Sequence, residues 1–426
     1  MLTNKRYFMF FLYKSLLYLL TPALYLLLHK RVKQGKEDPA RLKERYGFAN
    51  LPCPKGALIW IHAASVGEAQ STLILINKIL QKSPATHILV TSGTVTSAKL
   101  MAERLPSRAV HQYAPLDHPK WINRFLEHWQ PDLALRMESE LWPTTLLALK
   151  AQKIPTILIN ARLSDNSFRK WTRFKGTAQQ LLSSFTKILT QTDKDTDLFK
   201  QLGATHVQTI GNLKYSAEPL FHHPDELAQL AQATKNRPLW VYASTHDGEE
   251  ELACEIHQRL QADHPELLSI IVPRHPERRD QIKSKLEKYE LGVTLRGKNK
   301  TPPAPDTDIY IADTLGELGL FYRLAPIAVI GKSFSHEGGG HNPIEAAQLN
   351  CAILTGPKTE LLQDIFDDMR GAGAVYEASN HDDLYHKIND LLSNPSLCTE
   401  IAEVAIAYIE QKTDIIDKII NELTLT

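Results

Sequence analysis

From about Ala57 onward, short uninterrupted apolar runs alternate with amphipathic stretches, and this alternation restricts the fold more than any other feature. Residues 58–61, 87–90, 110–113, 132–135, 156–159, 188–190 and 207–210 have the character of buried strands, with helical patterns such as 68–80 and 143–150 between them. Continuous apolar strands separated by helices imply a parallel sheet covered on both faces. The stretch 216–237 breaks the rhythm with Pro219, Pro224 and a polar run, and is expected to be a linker. The alternation resumes at 239–243, 268–272, 309–311, 327–330 and 352–354, and a tail from about 397 carries one long helical pattern. A chain of 426 residues is too long for one ordinary core. The expected organisation is an N-terminal segment 1–36, a first doubly wound domain 37–215, the linker, a second such domain 238–396 and a C-terminal helix 397–426. Two such domains in tandem would bind ligands at the carboxyl ends of their strands.

The N-terminal segment is of a different kind. Residues 7–28 are almost wholly apolar, broken only by Lys14, Ser15, Thr21 and Pro22. As a helix they would reach roughly 33 Å, enough to cross a bilayer, although a central lysine is costly there. Lys5 and Arg6 precede the segment and Lys30, Arg31, Lys33 and Lys36 follow it. Basic flanks suit a membrane anchor facing the cytoplasm, either spanning or lying in the interface; a buried core helix is the alternative. No small-residue site follows that would mark a cleaved signal peptide. A net charge of +1 argues against a nucleic-acid binder. The four cysteines form no CxxC or zinc-type pair, as expected of reduced, structural thiols.

Residues with chemical potential recur where strands end and helices begin. His62-Ala-Ala-Ser-Val-Gly-Glu68 places Glu68 at a helix start, as a general base for a sugar hydroxyl or as a first-turn acid that only favours its helix. His62 has the position of a packing histidine. Glu138 and Glu140 follow the strand 132–135, and Lys214 closes the last strand of the first domain, where a cation can stabilise developing charge. The basic and aromatic run Phe168 to Lys175 suits a solvated helix face or a surface that meets anionic lipid. In the second domain Ser244 and Thr245, Arg274 with His275, and the Gly316 turn stand at comparable points. The stretch 328–347 passes from an apolar strand through Gly338, Gly339 and Gly340 to Asn342-Pro-Ile-Glu345. There a capped helix start and glycine-turn N–H groups are expected to hold phosphate. No P-loop, no GxGxxG fingerprint and no metal-ligand spacing appears, which disfavours ATPase and NAD-enzyme chemistry.

The ordered set HAASVGE, ESELWP, NARLSDNS, GNLKY, STHDGEE, VPRHPER, DTLGELGLFY and GGHNPIEAA closely resembles the Kdo transferases, the 3-deoxy-D-manno-octulosonic acid transferases of Gram-negative bacteria. The resemblance runs from the N-terminal segment to the C-terminal helix. It implies a GT-B glycosyltransferase of two Rossmann-like domains facing a central cleft, held at the cytoplasmic face of the inner membrane. It implies transfer of Kdo from CMP-Kdo to lipid A precursor (lipid IVA), with inversion and with no required metal or cofactor. Its partners would be that donor, that acceptor and inner-membrane lipid, with no nucleic acid. Residue by residue, Glu68 matches the family's general base, and Glu138 and Lys214 match positions assigned to transition-state stabilisation. Arg274, His275, Gly316, Glu317, Leu318, Asn342, Pro343, Ile344 and Glu345 match CMP-binding segments. The alternatives are a GT-B enzyme using another nucleotide sugar and a membrane-tethered nucleotide-binding scaffold without turnover. The joint presence of Glu68, Glu138 and Lys214 argues against the scaffold.

Overall fold

The structure, a computed structural model, describes residues 2–423, with side chains from Met9 onward; Lys5, Arg6 and Tyr7 of the expected anchor therefore lie outside the described side chains. The chain forms two compact units, Met1–Ala217 with Asp414–Thr426, and Glu218–Thr413.

The first unit holds a seven-stranded sheet. Its strands are β1 (Leu58–His62), β2 (His87–Ser92), β3 (Ala109–Tyr113), β4 (Leu133–Met137), β5 (Thr156–Ala161), β6 (Lys187–Thr190) and β7 (Val207–Thr209). All pair in parallel, in the order β3-β2-β1-β4-β5-β6-β7. β1, β4 and β5 are buried along their whole length, the consequence of helices on both faces. On one face Trp60, Phe125, Leu126 and Trp129 share a core cluster. The helix Pro119–Trp129 supplies three of these from buried positions Phe125, Leu126 and Trp129, a helical stripe. Further along the sheet Leu146, Leu158, Phe185 and Phe199 belong to a second cluster.

The second unit repeats the plan. Its strands are β8 (Leu239–Thr245), β9 (Leu268–Pro273), β10 (Val293–Leu295), β11 (Ile309–Ile311), β12 (Ile327–Ile330), β13 (Ala352–Thr355) and β14 (Tyr376–Glu377). They form a parallel sheet in the order β10-β11-β9-β8-β12-β13-β14. In each sheet the winding reverses beside the first strand, between β1 and β4 and between β8 and β12, and ligands bind at such switch points.

Three expectations need correction. The apolar N-terminal segment is two helices, Leu2–Leu19 and Thr21–Lys33, bent by 59° and not one span. No single helix among the described residues is long and apolar enough to cross a membrane, though the bent pair passes the same test together. The stretch 216–237 contains the helix Pro224–Ala233. The tail divides into Pro395–Glu410 and Ile415–Glu422, the second of which belongs to the first unit.

Candidate functional site

Four non-glycine residues take left-handed backbone at the carboxyl ends of the strands that flank or adjoin the switch points. They are Glu138 (φ 52°), Asn160 (φ 52°), Ser244 (φ 61°) and Lys332 (φ 64°). Such backbone is unfavourable for residues with a Cβ and persists where the surroundings enforce it, typically at functional sites.

In the first unit, Glu68 lies in the first turn of the helix Val66–Lys82, capped by Ser65. The Ser65 hydroxyl accepts from the Glu68 N–H at 3.2 Å, and the Glu68 carboxylate reaches back to accept from the Ala64 N–H at 2.9 Å. Glu68 therefore does cap its helix. Burial pushes its carboxyl up against the downward pull of the Ala64 bond, and the charges of Glu138 and Glu140 add to the rise. Helix start and raised carboxyl coexist in one residue, so the two roles weighed from the sequence are compatible.

Behind Glu68 stands a buried polar chain. The Trp60 indole donates to the Thr91 hydroxyl at 2.8 Å, and His62 Nδ1 lies 2.8 Å from the same oxygen. His62 Nε2 is 3.4 Å from the Glu140 carboxylate, which also accepts from the Trp142 indole. Burial together with the Arg136 guanidinium lowers His62 to about 4, Glu140 pulling the other way. Burial alone would raise Glu140, but His62, Arg136 and Trp142 outweigh it and hold the carboxyl below its usual range. A neutral His62 facing an ionised acceptor carries its proton on Nε2. His62 is thus not a fully satisfied packing histidine: Nδ1 is bonded to Thr91, while Nε2 is buried without a hydrogen bond and faces Glu140.

Lys214 is placed by a second polar chain. Its N–H donates to Asn212 Oδ1 at 3.1 Å, and Asn212 donates to Gln191 Oε1 at 2.9 Å. Gln191 donates to the Asn160 carbonyl and the Leu213 N–H donates to Asn160 Oδ1, each at 2.9 Å. The strained Asn160 thereby fixes the turn Leu213–Ser216 that carries Lys214.

In the second unit the organising group is Glu249, which the sequence did not single out. It is 1% exposed. Its carboxylate accepts from four backbone N–H groups: His246 (2.9 Å), Lys332 (2.8 Å), Phe334 (3.0 Å) and Ser335 (3.2 Å). One side chain thus ties the loop after β8 to the loop after β12. Gly331 is required where these loops meet, since a Cβ there would lie 2.3 Å from the Ser244 carbonyl oxygen.

The expected phosphate cradle differs in kind. The N–H groups of the glycine cluster are already used, Gly338 on Ser335, Gly339 on the Lys358 carbonyl and Gly340 on the Lys332 carbonyl. The helix after Pro343 is one turn, Ile344–Ala347, too short for a useful dipole. It stops because Asn350 turns left-handed (φ 60°) just before β13. Asn342 does cap it, accepting from the Ile344 N–H at 3.2 Å.

In place of that cradle stand Arg274 and a group of imidazoles. Arg274 is exposed, its N–H is fixed on the Thr245 carbonyl at 3.0 Å, and its guanidinium acts on both His341 and Glu345. His246 and His341 stack with their Nε2 atoms 3.0 Å apart. His275 sits edge-on to His246, ring centres 5.8 Å apart. Burial lowers His341 to about 4, helped by His246 and Arg274. Burial raises the Glu345 carboxyl, moderated by the Asn342 amide and Arg274.

The turn of Gly316 (φ 81°) borders a cavity of about 450 Å³ with Phe221, Pro276, Asp313 and Leu320. The Glu317 side chain is not free for a ligand. Its carboxylate takes two bonds from Arg296 (2.7 and 3.0 Å); despite burial these hold it down at about 2. Leu318 opens the helix Leu318–Leu324. Among the described residues no group of three His, Cys, Asp or Glu side chains has metal-binding geometry.

Residues 40–217 match the family model described as 3-deoxy-D-manno-octulosonic-acid transferase (kdotransferase), and residues 251–408 match that of glycosyl transferases group 1. The 3-deoxy-D-manno-octulosonic acid transferase of Rickettsia bellii is 35% identical over 97% of this chain and 98% of its own length. That of Haemophilus influenzae is 33% identical over 90% of each chain. The crystal structure of UDP-GlcNAc 2-epimerase from Neisseria meningitidis is alike in fold, with a TM-score of 0.58 over 86% of this chain and all of that one, at 15% identity. The two Rossmann-like domains expected from the sequence are therefore present, in a GT-B type of chain. With near-complete coverage on both sides, the chain belongs to the 3-deoxy-D-manno-octulosonic acid transferase family and is a glycosyltransferase.

Proposed function

We propose that the chain transfers Kdo from CMP-Kdo to a lipid A precursor such as lipid IVA, inverting the sugar carbon, without a required metal, and with Glu68 as general base. The observation that carries this is the Glu68 carboxyl, set at the carboxyl end of β1 and raised by burial and by Glu138 and Glu140. A base works best when its pKa approaches the operating pH. Glu68 takes the proton of the acceptor hydroxyl as its oxygen bonds to the Kdo anomeric carbon, and the bond to the CMP phosphate breaks with its electron pair leaving on phosphate. Glu138 and Lys214 stabilise the charge that develops.

In this scheme the first unit binds the acceptor and the second binds CMP. Arg274 and His275 meet the phosphate, and the Asn342-Pro343-Ile344-Glu345 turn offers the Glu345 carboxylate to the ribose hydroxyls. The turn of Gly316, Glu317 and Leu318 contributes backbone, because Arg296 holds the Glu317 carboxylate. The N-terminal helices attach the enzyme to the cytoplasmic face of the inner membrane. Their support is a row of exposed apolar side chains, among them Phe11, Leu12, Leu16, Leu19, Leu26 and Leu27.

A mass-spectrometric assay with CMP-Kdo and lipid IVA tests the proposal. The wild type is expected to add whole Kdo units to the acceptor and Glu68→Gln to add none while still binding CMP. Turnover by Glu68→Gln at the wild-type rate would remove Glu68 as the base. CMP binding with no product on any lipid acceptor would remove the transferase reading of this site.

A further inference from the structure

Four neighbouring strands of the first sheet carry a polar residue in one register row. Gln112 pairs with Thr91, Thr91 with His62, and His62 with Arg136. Partners in a parallel register point to the same face, so this is a polar line across a buried face, one pleat above Trp60. All four side chains are 3% exposed or less. Three of them are hydrogen-bonded: Gln112 to Trp129 and Phe48, Thr91 to Trp60, and His62 to Thr91. The fourth is different. Among the described residues the Arg136 guanidinium has no hydrogen-bond or ion-pair partner, its Nε is wholly buried, and it lies over the Trp60 ring at 5.5 Å.

A buried charge without a compensating partner is costly and is kept for a reason. The reason lies in what surrounds it. The acids whose fields act on Arg136 are Glu140, Asp117 and Glu68. Asp117 is already occupied by the Thr144 and Thr145 N–H groups, the Thr145 hydroxyl and Tyr13. Glu140 and Glu68, with Glu138, form a cluster of three carboxylates at the ends of β1 and β4. We propose that Arg136 is a positioning residue for transfer: its buried guanidinium is the counter-charge that allows Glu68 and Glu140 to stand together at the strand ends. This rests on the assignment of Glu68 as the base.

The groups that act on Glu68 are Glu138 and Glu140 after β4 and Arg136 within it, and the turn Leu213–Ser216 that carries Lys214 packs against the same helix. The neutral His62 and the Arg45 guanidinium that acts on it complete the surroundings of the row. Burial lowers Arg136 only to about 10, so it stays cationic throughout the working range.

The test is the pH dependence of kcat/KM for Kdo transfer over roughly pH 5.5–9.5. The variants are Arg136→Met, Arg136→Lys, Glu140→Gln and Glu68→Gln. Removing the cation makes ionisation of Glu68 harder, so Arg136→Met is expected to move the acidic limb up. Arg136→Lys is expected to keep the limb in place, and Glu140→Gln to move it down. An Arg136→Met profile lowered by one factor at every pH would overturn the proposal, leaving Arg136 a packing residue. If Arg136→Met does not fold, Glu140→Gln decides, and a limb that stays put or rises overturns the proposal. A Glu68→Gln variant that keeps wild-type turnover would instead overturn the base assignment, and this proposal with it.

Discussion

Glu249 replaces what four separate capping groups would otherwise do. A carboxylate side chain accepting four N–H groups leaves those donors satisfied in a site that water barely reaches. In Glu249→Gln one oxygen becomes an NH₂ that faces donors, so at least one buried N–H loses its partner. The expected loss is about 2–4 kcal/mol, read as a lower melting temperature of the second unit, with CMP affinity falling because the β8 and β12 loops are released together. Nothing in the sequence marked this residue, since an acid in a first helical turn is common. Only the three-dimensional return of 332–335 to the helix start shows its role. The His246–His341 pair was hidden in the same way, its members being 95 positions apart. The position of Glu68 at a helix start was legible because its signal, a strand end followed by small residues, is local. Two other histidines give a pH prediction. His62 and His111 are held neutral, at about 4 and about 3, mainly by burial and by nearby arginines. Unfolded, they take up protons below about 6.5; folded, they do so only at those lower values. Their contribution to stability is therefore intact above pH 6.5 and is lost as pH falls toward 4, by roughly 1–3 kcal/mol each. Urea midpoints for the first unit should fall across that window, and less steeply in His111→Gln.

Elements were legible where burial is two-sided. Twelve strands were expected from apolar runs, and the two that were missed, β10 and β14, are the outer strands of the second sheet, short and only partly buried. An edge strand of two or three residues has no period to recognise. The N-terminal helices show the opposite limit, since composition gave their apolarity but not its division into two faces. One face docks on the first unit. Phe10 and Leu28 are buried, Tyr13 donates to Asp117 at 3.1 Å, Thr21 meets His118 at 3.1 Å, and Tyr25 packs on Tyr46 and Trp121. The other face leaves large leucines and phenylalanines in the open, a patch that usually marks an interaction surface. Deleting residues 1–30 would therefore strip core contacts as well as the apolar face. Substituting Leu16, Leu19, Leu26 and Leu27 with serine separates the two effects. Co-sedimentation with anionic vesicles is expected to fall several-fold while the melting temperature stays within a few degrees. Undiminished co-sedimentation would rule this face out as the attachment site.

At the scale of the whole molecule, the chain leaves the first unit at Ala217 and its last residues return to that unit. The helix Ile415–Glu422 buries Ile415, Ile416, Ile419 and Ile420 and packs against the helix of Glu68 and the turn of Lys214. Gly211 is small because of it, a Cβ there lying 2.7 Å from the Ile415 side chain. Lys78 pairs with Asp417 and Lys187 with Glu422 at the rim, contacts worth little on their own when so exposed. The apolar tail pattern was visible in the sequence; that it is cut at 411–414 and serves the first unit was not, because no local signal says which core an amphipathic helix joins. The consequence for function is specific. Ile415→Ala and Ile419→Ala each leave a cavity under the two elements that carry Glu68 and Lys214, and each should cost about 2–5 kcal/mol. Calorimetry should then show the transition of the first unit shifted down and that of the second in place. Transfer should weaken through kcat, with CMP binding by the second unit unchanged. Parallel loss of CMP binding would mean that the helix supports both units, and the division of labour argued above would fail.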